Sequence, residues 1–186
     1  LRLCAYLWRR VAHEPEDGRY VSLRERWLDS GAAFFAFFQA QALVVALFAL
    51  PFAVVASRPT DPAPGWILAA ALVWLLSVGG EALADRQLAR FRADPANRGR
   101  TCRDGLWAWS RHPNYFFEWL HWFTYVLLSV GAPLGWLSLA GPVLMLLFLY
   151  RLSGIPWTEA QSLRSRGDDY RRYQAQVSPF LPLPPR

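Results

Sequence analysis

Three stretches of this chain carry almost no charge, and they constrain the fold more than any other feature. Gly31 to Ser57 and Pro62 to Gly80 contain no charged side chain, and between Trp119 and Tyr150 the only titratable group besides tyrosine is His121. A helix needs about 20 apolar residues to cross a bilayer. The third run is too long for one crossing, and Gly131-Ala132-Pro133-Leu134-Gly135 near its middle is turn chemistry. The sequence therefore predicts an all-α integral membrane protein. At least four transmembrane helices are expected, over 33–55, 66–83, 114–131 and 135–152, with a connector over 1–30 and a tail over 156–186 that carry interfacial helices. Pro51 is expected to kink the first span. At 186 residues, with 54% hydrophobic and 18% charged side chains, a single membrane-embedded domain accounts for the chain.

Every one of the 20 basic residues is arginine, and their placement predicts orientation. Six lie in Leu1–Ser30, one between the first two spans, seven in Ala84–Arg111, none in the Gly131–Gly135 turn and six in Arg151–Arg186. The positive-inside rule puts the connector, the central loop and the tail in the cytoplasm. The net charge of +6 then reports topology and anionic partners at the inner face, such as phosphates or lipid head groups, rather than nucleic acid. Cys4 and Cys102 fall on that side, so two free thiols are expected. The chain opens on Leu without a signal-peptide pattern and is expected to lack its natural beginning.

Ionisable groups inside a membrane segment are costly and point to function. Ser110-Arg111-His112-Pro113-Asn114-Tyr115-Phe116-Phe117-Glu118 places several where a basic loop becomes an apolar helix. Pro113 suits a first helical turn, and Asn114, Glu118, His121 and Tyr125 then share one face at helical spacing. Glu81 and Asp85 form a second carboxylate pair at i, i+4. It reads either as a solvated helix end partnered by Arg86 or Arg90, or as a contact for a polar ligand. The loop carrying Arg98, Arg100, Arg103 and Trp107 suits phosphates and flat rings. Thr158 is placed to cap a helix running through Arg164 to Tyr173, and the proline-rich end after Ser178 is expected to be extended. Asp168 to Tyr173 reads as an interfacial helix unless the tail folds back on the arginine loop.

Several chemistries are disfavoured. The chain has no lysine and no glycine-rich phosphate fingerprint, which argues against a P-loop or a Schiff base. Glu118 and His121 have E-x-x-H spacing, but a second such motif is missing, so no metal site is expected. Ser110 and His112 lie too close in sequence for a nucleophile and base pair.

Gly105-Leu106-Trp107 with Ser110-Arg111-His112-Pro113-Asn114-Tyr115-Phe116-x-Glu118 resembles the signature of the steroid 5-alpha-reductase C-terminal superfamily, in particular its bacterial DUF1295 branch. Glu16-Asp17-x-Arg19-Tyr20, Asp85-Arg86-Gln87, Ser153-Gly154-Ile155-Pro156-x-Thr158-Glu159-Ala160 and Gly167-Asp168-Asp169-Tyr170-x-x-Tyr173 agree in order, so the likeness spans nearly the whole chain. It implies an enzyme of the bacterial inner membrane in which NADPH enters from the cytoplasm. Hydride then passes to a carbon–carbon double bond conjugated to a carbonyl, in a lipophilic substrate of steroid or isoprenoid type. By matching position the cofactor site would be lined by Arg111, His112, Asn114, Tyr115, Glu118, Glu159, Tyr170 and Tyr173, with Asp85 and Arg164 as further members. Tyr115 is the first candidate proton donor and Tyr125 the second. Phe117 departs from the family's usual glycine and is expected to narrow the approach to the helix at Pro113. The competing readings are an S-adenosylmethionine-dependent methyltransferase of the isoprenylcysteine or phospholipid type, which shares the R-H-P-x-Y element, and a non-enzymatic membrane scaffold.

Overall fold

The computed structural model describes Glu25, residues 30–152 and residues 154–185. The connector, with Cys4 and Glu16-Asp17-x-Arg19-Tyr20, lies outside the described residues apart from Glu25 and Ser30. The helices are α1 (Gly31–Ala56), α2 (Pro64–Ala93), α3 (Pro113–Leu128), α4 (Ala140–Leu147), α5 (Ile155–Arg166) and α6 (Asp168–Gln176). Short 3-10 turns cover Pro95–Asn97, Gly105–Ala108 and Gly135–Leu139, and a π-helical turn covers Phe148–Leu152. Among the described residues there is no strand, only an isolated bridge between Ser110 and Ser178.

The chain divides into two units, Leu1–Ala46 and Leu47–Arg186. In the first, the described residues from 31 to 46 form the uncharged start of α1, where Ser30 Oγ accepts from Ala33 N. The second unit holds everything that follows. α1 continues through Pro51 without a break.

Among the described residues, three helical stretches are long and apolar enough to cross a membrane: Gly31–Ala56, Pro64–Ala93 and Gly135–Arg166. The segment expected as a further span over 114–131 holds the 16-residue α3. α2 also runs some ten residues past the expected end of its span, because 84–93 has no glycine or proline to stop it before Pro95.

The packing of α2 on α3 follows from small residues. The buried positions of α2 are Ala70, Ser77 and Ala84, spaced by seven, while Leu68, Leu72, Leu75 and Leu76 are exposed in the manner of a lipid-facing side. Gly80 lies on the packed side, and a Cβ there would sit 2.4 Å from the Phe117 ring. Phe117 is thus housed by Gly80 and does not narrow the approach to α3. On the other side of α3, Trp122 is accommodated by Gly141, and the Trp119 indole donates to Pro142 O at 3.1 Å. Met145, Leu149, Ile155 and Phe180 form the adjoining core.

At one end of this bundle Arg58, from the turn between α1 and α2, donates to Leu128 O (3.1 Å) and Val130 O (2.9 Å) just beyond α3. α3 therefore runs antiparallel to α2 and returns to the level at which α2 begins.

The tail differs from the expected single helix. Gly167, with φ at +53°, breaks it into α5 and α6, a conformation that favours glycine. Thr158 is not a cap: it lies inside α5 and its hydroxyl donates to Gly154 O at 2.6 Å.

Candidate functional site

The loop before α3 is fixed from two sides. Trp107 Nε1 donates to Ala84 O (2.9 Å), and Leu106 N donates to Gln87 Oε1 (3.0 Å), both on α2. Gly105, with φ at +55°, has no room for a Cβ against the Gln87 side chain. From the tail, Arg111 N donates to Ser178 O (2.8 Å), Leu183 N donates to Trp109 O (3.0 Å), and Ser110 Oγ donates to Phe180 O (2.7 Å). Tyr173 OH donates to Trp107 O, with Ser110 O at 3.2 Å. The proline-rich segment is laid back along the loop, and Tyr173 is bonded into it.

Within this frame lies a cavity of about 290 Å³. Asp85, Arg111, His112, Asn114 and Tyr115 line it, as do Tyr170 and Tyr173. Its wall also includes Arg92, Thr101, Thr158, Ser162 and Arg166, which sequence reasoning did not assign to it. A helical signal for part of this was present: Thr158, Ser162 and Arg166 follow at i, i+4 and i+8, one face of α5. Arg164, expected at the site, falls off that face and does not line the cavity.

Glu159 stands behind the lining rather than in it. Its Oε1 lies 2.7 Å from Arg111 Nε and 3.4 Å from His112 Nε2, and its Oε2 accepts from Gln174 Nε2 at 2.9 Å. Arg111 Nη1 donates to Gln174 O (2.8 Å) and Val177 O (3.2 Å), tying α3 to the tail. The contacts of Arg111 and His112 with Glu159 are close but poorly aligned. Arg111 Nε, His112 Nε2 and Glu159 Oε1 are buried with no well-oriented hydrogen bond, and Thr101 Oγ1 nearby has none either. The His112 ring stacks on Tyr115 at 5.2 Å and 5°. The Thr158 proton goes to Gly154 O, so the 3.3 Å contact between Tyr115 OH and Thr158 Oγ1 has Tyr115 as donor.

Electrostatics set the state of the groups around the cavity. Burial, reinforced by the Glu159 charge, pushes the Tyr170 phenol up to about 12, and burial also raises Tyr173 and the Cys102 thiol. Burial pushes the Asp169 carboxyl upward, but hydrogen bonding from Thr101 and the Arg103 charge outweigh it and leave Asp169 below its ordinary value. Thr101 N donates to Asp169 Oδ2 at 2.8 Å and Arg103 Nη2 to Oδ1 at 3.1 Å.

The rest of the expected polar face of α3 turns to α2. Asn114 Nδ2 donates to Asp85 Oδ1 at 3.4 Å, and His121 Nδ1 lies 3.4 Å from Ser77 Oγ, with its Nε2 3.1 Å from Tyr125 OH. Glu118, His121 and Tyr125 do not line the cavity. Glu118 is exposed and lies within charge-interaction range of Glu81 and Asp85. Neither Arg86 nor Arg90 forms an ion pair with those two carboxylates among the described residues. No group of three or more His, Cys, Asp or Glu is placed to hold a metal ion there either.

The family described as "Protein of unknown function (DUF1295)" matches residues 1–177. The chain belongs to this family. No curated protein and no solved structure matches the chain. Within this DUF1295 protein, Ser110 to Tyr115 supplies both the anchor that the tail docks on and a wall of the cavity.

Proposed function

We propose that this DUF1295 chain is a membrane-embedded NADPH-dependent reductase acting on a lipophilic enone. The observation that carries the reading is a polar cavity at the end of apolar helices, lined by Arg92, Arg111, Asn114, Tyr115 and Arg166, with the buried Thr101 hydroxyl at its wall lacking a partner. Such a group is costly to leave unpaired, and a polar ligand satisfies it. The donor set fits a dinucleotide: the stacked His112 and Tyr115 rings offer a flat platform, Asn114 an amide, Asp85 an acceptor and the arginines phosphate forks.

Bound there, the dihydronicotinamide would supply hydride to a carbon–carbon double bond conjugated to a carbonyl in a steroid-like or isoprenoid-like substrate. The chain's own residues would hold the ring and exclude water. Tyr115, which lines the cavity and already donates a hydrogen bond, is the favoured proton donor over Tyr125, whose hydroxyl pairs with His121 away from the cavity. The arginine distribution supports a cytoplasmic face for the site.

Four crossings are part of this reading. The loop before α3 and the tail bond to each other, so they share one side, and an even number of crossings must separate them. α3 then crosses together with Gly135–Leu152, and the Arg58 contacts at its far end agree.

The test is ligand-dependent melting of the purified full-length protein in detergent. NADPH is expected to raise the melting temperature and S-adenosylmethionine is not. Asn114→Ala, at a residue held only by a 3.4 Å contact, should weaken that rise without lowering the melting temperature of the free protein. Stabilisation by S-adenosylmethionine alone would overturn the reading in favour of methyl transfer.

A further inference from the structure

A second cavity adjoins the first. Its volume is about 490 Å³, and it shares Leu88, Arg92, Cys102 and Arg166 with the inner one, so the two lie side by side along a common wall. The outer chamber is basic: Arg92, Arg98, Arg100 and Arg166 line it, against a single carboxylate, Asp94. Asp94 is already engaged, since its Oδ1 accepts from Ala96 N at 2.9 Å as the cap of the Pro95–Asn97 turn. Among the described residues none of the four arginines forms an ion pair. Arg166 is held only over the Tyr170 ring, 5.8 Å from its centroid. The neighbouring arginines behave otherwise: Arg103 pairs with Asp169, and Arg171 with Asp168. Four unpaired guanidiniums facing one concavity repel one another unless an anion lies between them.

The size of the inner cavity gives the second argument. At about 290 Å³ it lies at the lower end of the roughly 300–1,000 Å³ typical of small-molecule and cofactor sites. One nucleotide half of a dinucleotide suits it, and the other half needs the adjoining space. The Phe91 ring on the outer wall offers a face for a base.

Resting on the reductase reading, we propose that the outer chamber is a phosphate-monoester subsite. It receives the adenylate end of the dinucleotide, and Arg98 and Arg100 there distinguish a 2′-phosphate from a 2′-hydroxyl. Arg92 and Arg166, common to both chambers, hold the bridging diphosphate. Arg98 and Arg100 line the outer chamber but not the inner one, and they make no hydrogen bond through their side chains among the described residues. Their replacement therefore leaves the packed frame of the site intact.

The experiment compares wild type with the double variant Arg98→Ser, Arg100→Ser, as full-length protein, by calorimetric binding and by melting temperature. The probes are NADPH, NADH, adenosine 2′,5′-bisphosphate and adenosine 5′-monophosphate. Wild type should bind the 2′-phosphorylated member of each pair more tightly, with the gap shrinking as salt rises. The double variant should lose roughly 10- to 100-fold in affinity for NADPH and for the bisphosphate while NADH is held as before, as expected for charge-assisted hydrogen bonds removed from one group. Equal loss for NADPH and NADH, or no preference in wild type, overturns this inference and leaves the reductase reading standing. Binding of neither dinucleotide to wild type overturns both. Phosphatidic acid also carries a phosphate monoester. If its short-chain form stabilises wild type but not the double variant, and the bisphosphate does nothing, the chamber belongs to a lipid head group and the inference is wrong.

Discussion

Glu159 shows how much one side chain does here without touching the cavity. Among the described residues it is the only carboxylate paired with Arg111, and both side chains are largely buried, at 16% and 10% exposure. Removing one partner of a buried pair leaves the other charge uncompensated, at a cost of about 3 kcal/mol. Glu159→Gln keeps the shape and should lower stability by that amount, read as a fall in the denaturation midpoint of the ligand-free protein. An unchanged midpoint would show that the poorly aligned contact contributes nothing. Asp169 carries the pH dependence of the loop. Its carboxyl sits below its ordinary value of 3.8, so its contribution is complete above that value and fades as pH falls through the lower folded-state value. Asp169→Asn should therefore melt below wild type at pH 6, and the difference should close towards pH 3. Both residues belong to motifs visible in the sequence, yet their partners are not. Nothing local announces that Glu159 meets Arg111 or that Asp169 meets Thr101, because those contacts exist only once the tail folds back. Arg164 was expected and Arg166 occupies the place, a two-residue error that helix phase, counted from Thr158, would have corrected.

At the level of elements, hydrophobicity made the long helices legible, whereas small residues decided how they pack. Gly80 and Phe117 are the clearest pair. The missing side chain at position 80 on α2 makes room for the Phe117 ring. Gly80→Val should overpack this contact and destabilise by about 2 kcal/mol. Phe117→Gly alone should also destabilise, by opening a void. The double variant should be more stable than the sum of the two losses predicts, a coupling that a double-mutant cycle in denaturant would measure. Simple additivity would show that the two positions do not pack. The break at Gly167 was less legible, since Gly-Asp-Asp reads equally well as a helix continuing with acidic residues. A positive φ at that glycine turns α6 so that Tyr173 reaches the loop carbonyls.

For the whole molecule, α3 decides how often the chain would cross the bilayer. Its 16 residues span only about 24 Å at the helical rise, short of a hydrocarbon core of about 30 Å. Length alone therefore argues against a crossing. The contacts at its two ends argue for one: Arg111 and the tail meet before it begins, and Arg58 grips the carbonyls after it ends. Residues 129–131 extend the distance covered, and a bilayer thins or snorkelling groups adjust to a short span at modest cost. Single cysteines introduced into a variant lacking Cys4 and Cys102 make the prediction measurable with a membrane-impermeant thiol reagent. Thr60→Cys and Pro133→Cys should label from the outside of intact cells. Arg98→Cys and Pro185→Cys should label only after the membrane is opened. If Arg98→Cys and Pro185→Cys label from opposite faces, the crossings between them are odd in number and α3 lies within one leaflet. The tail could not then reach the loop before α3, and the cavity between them would have no counterpart in the membrane.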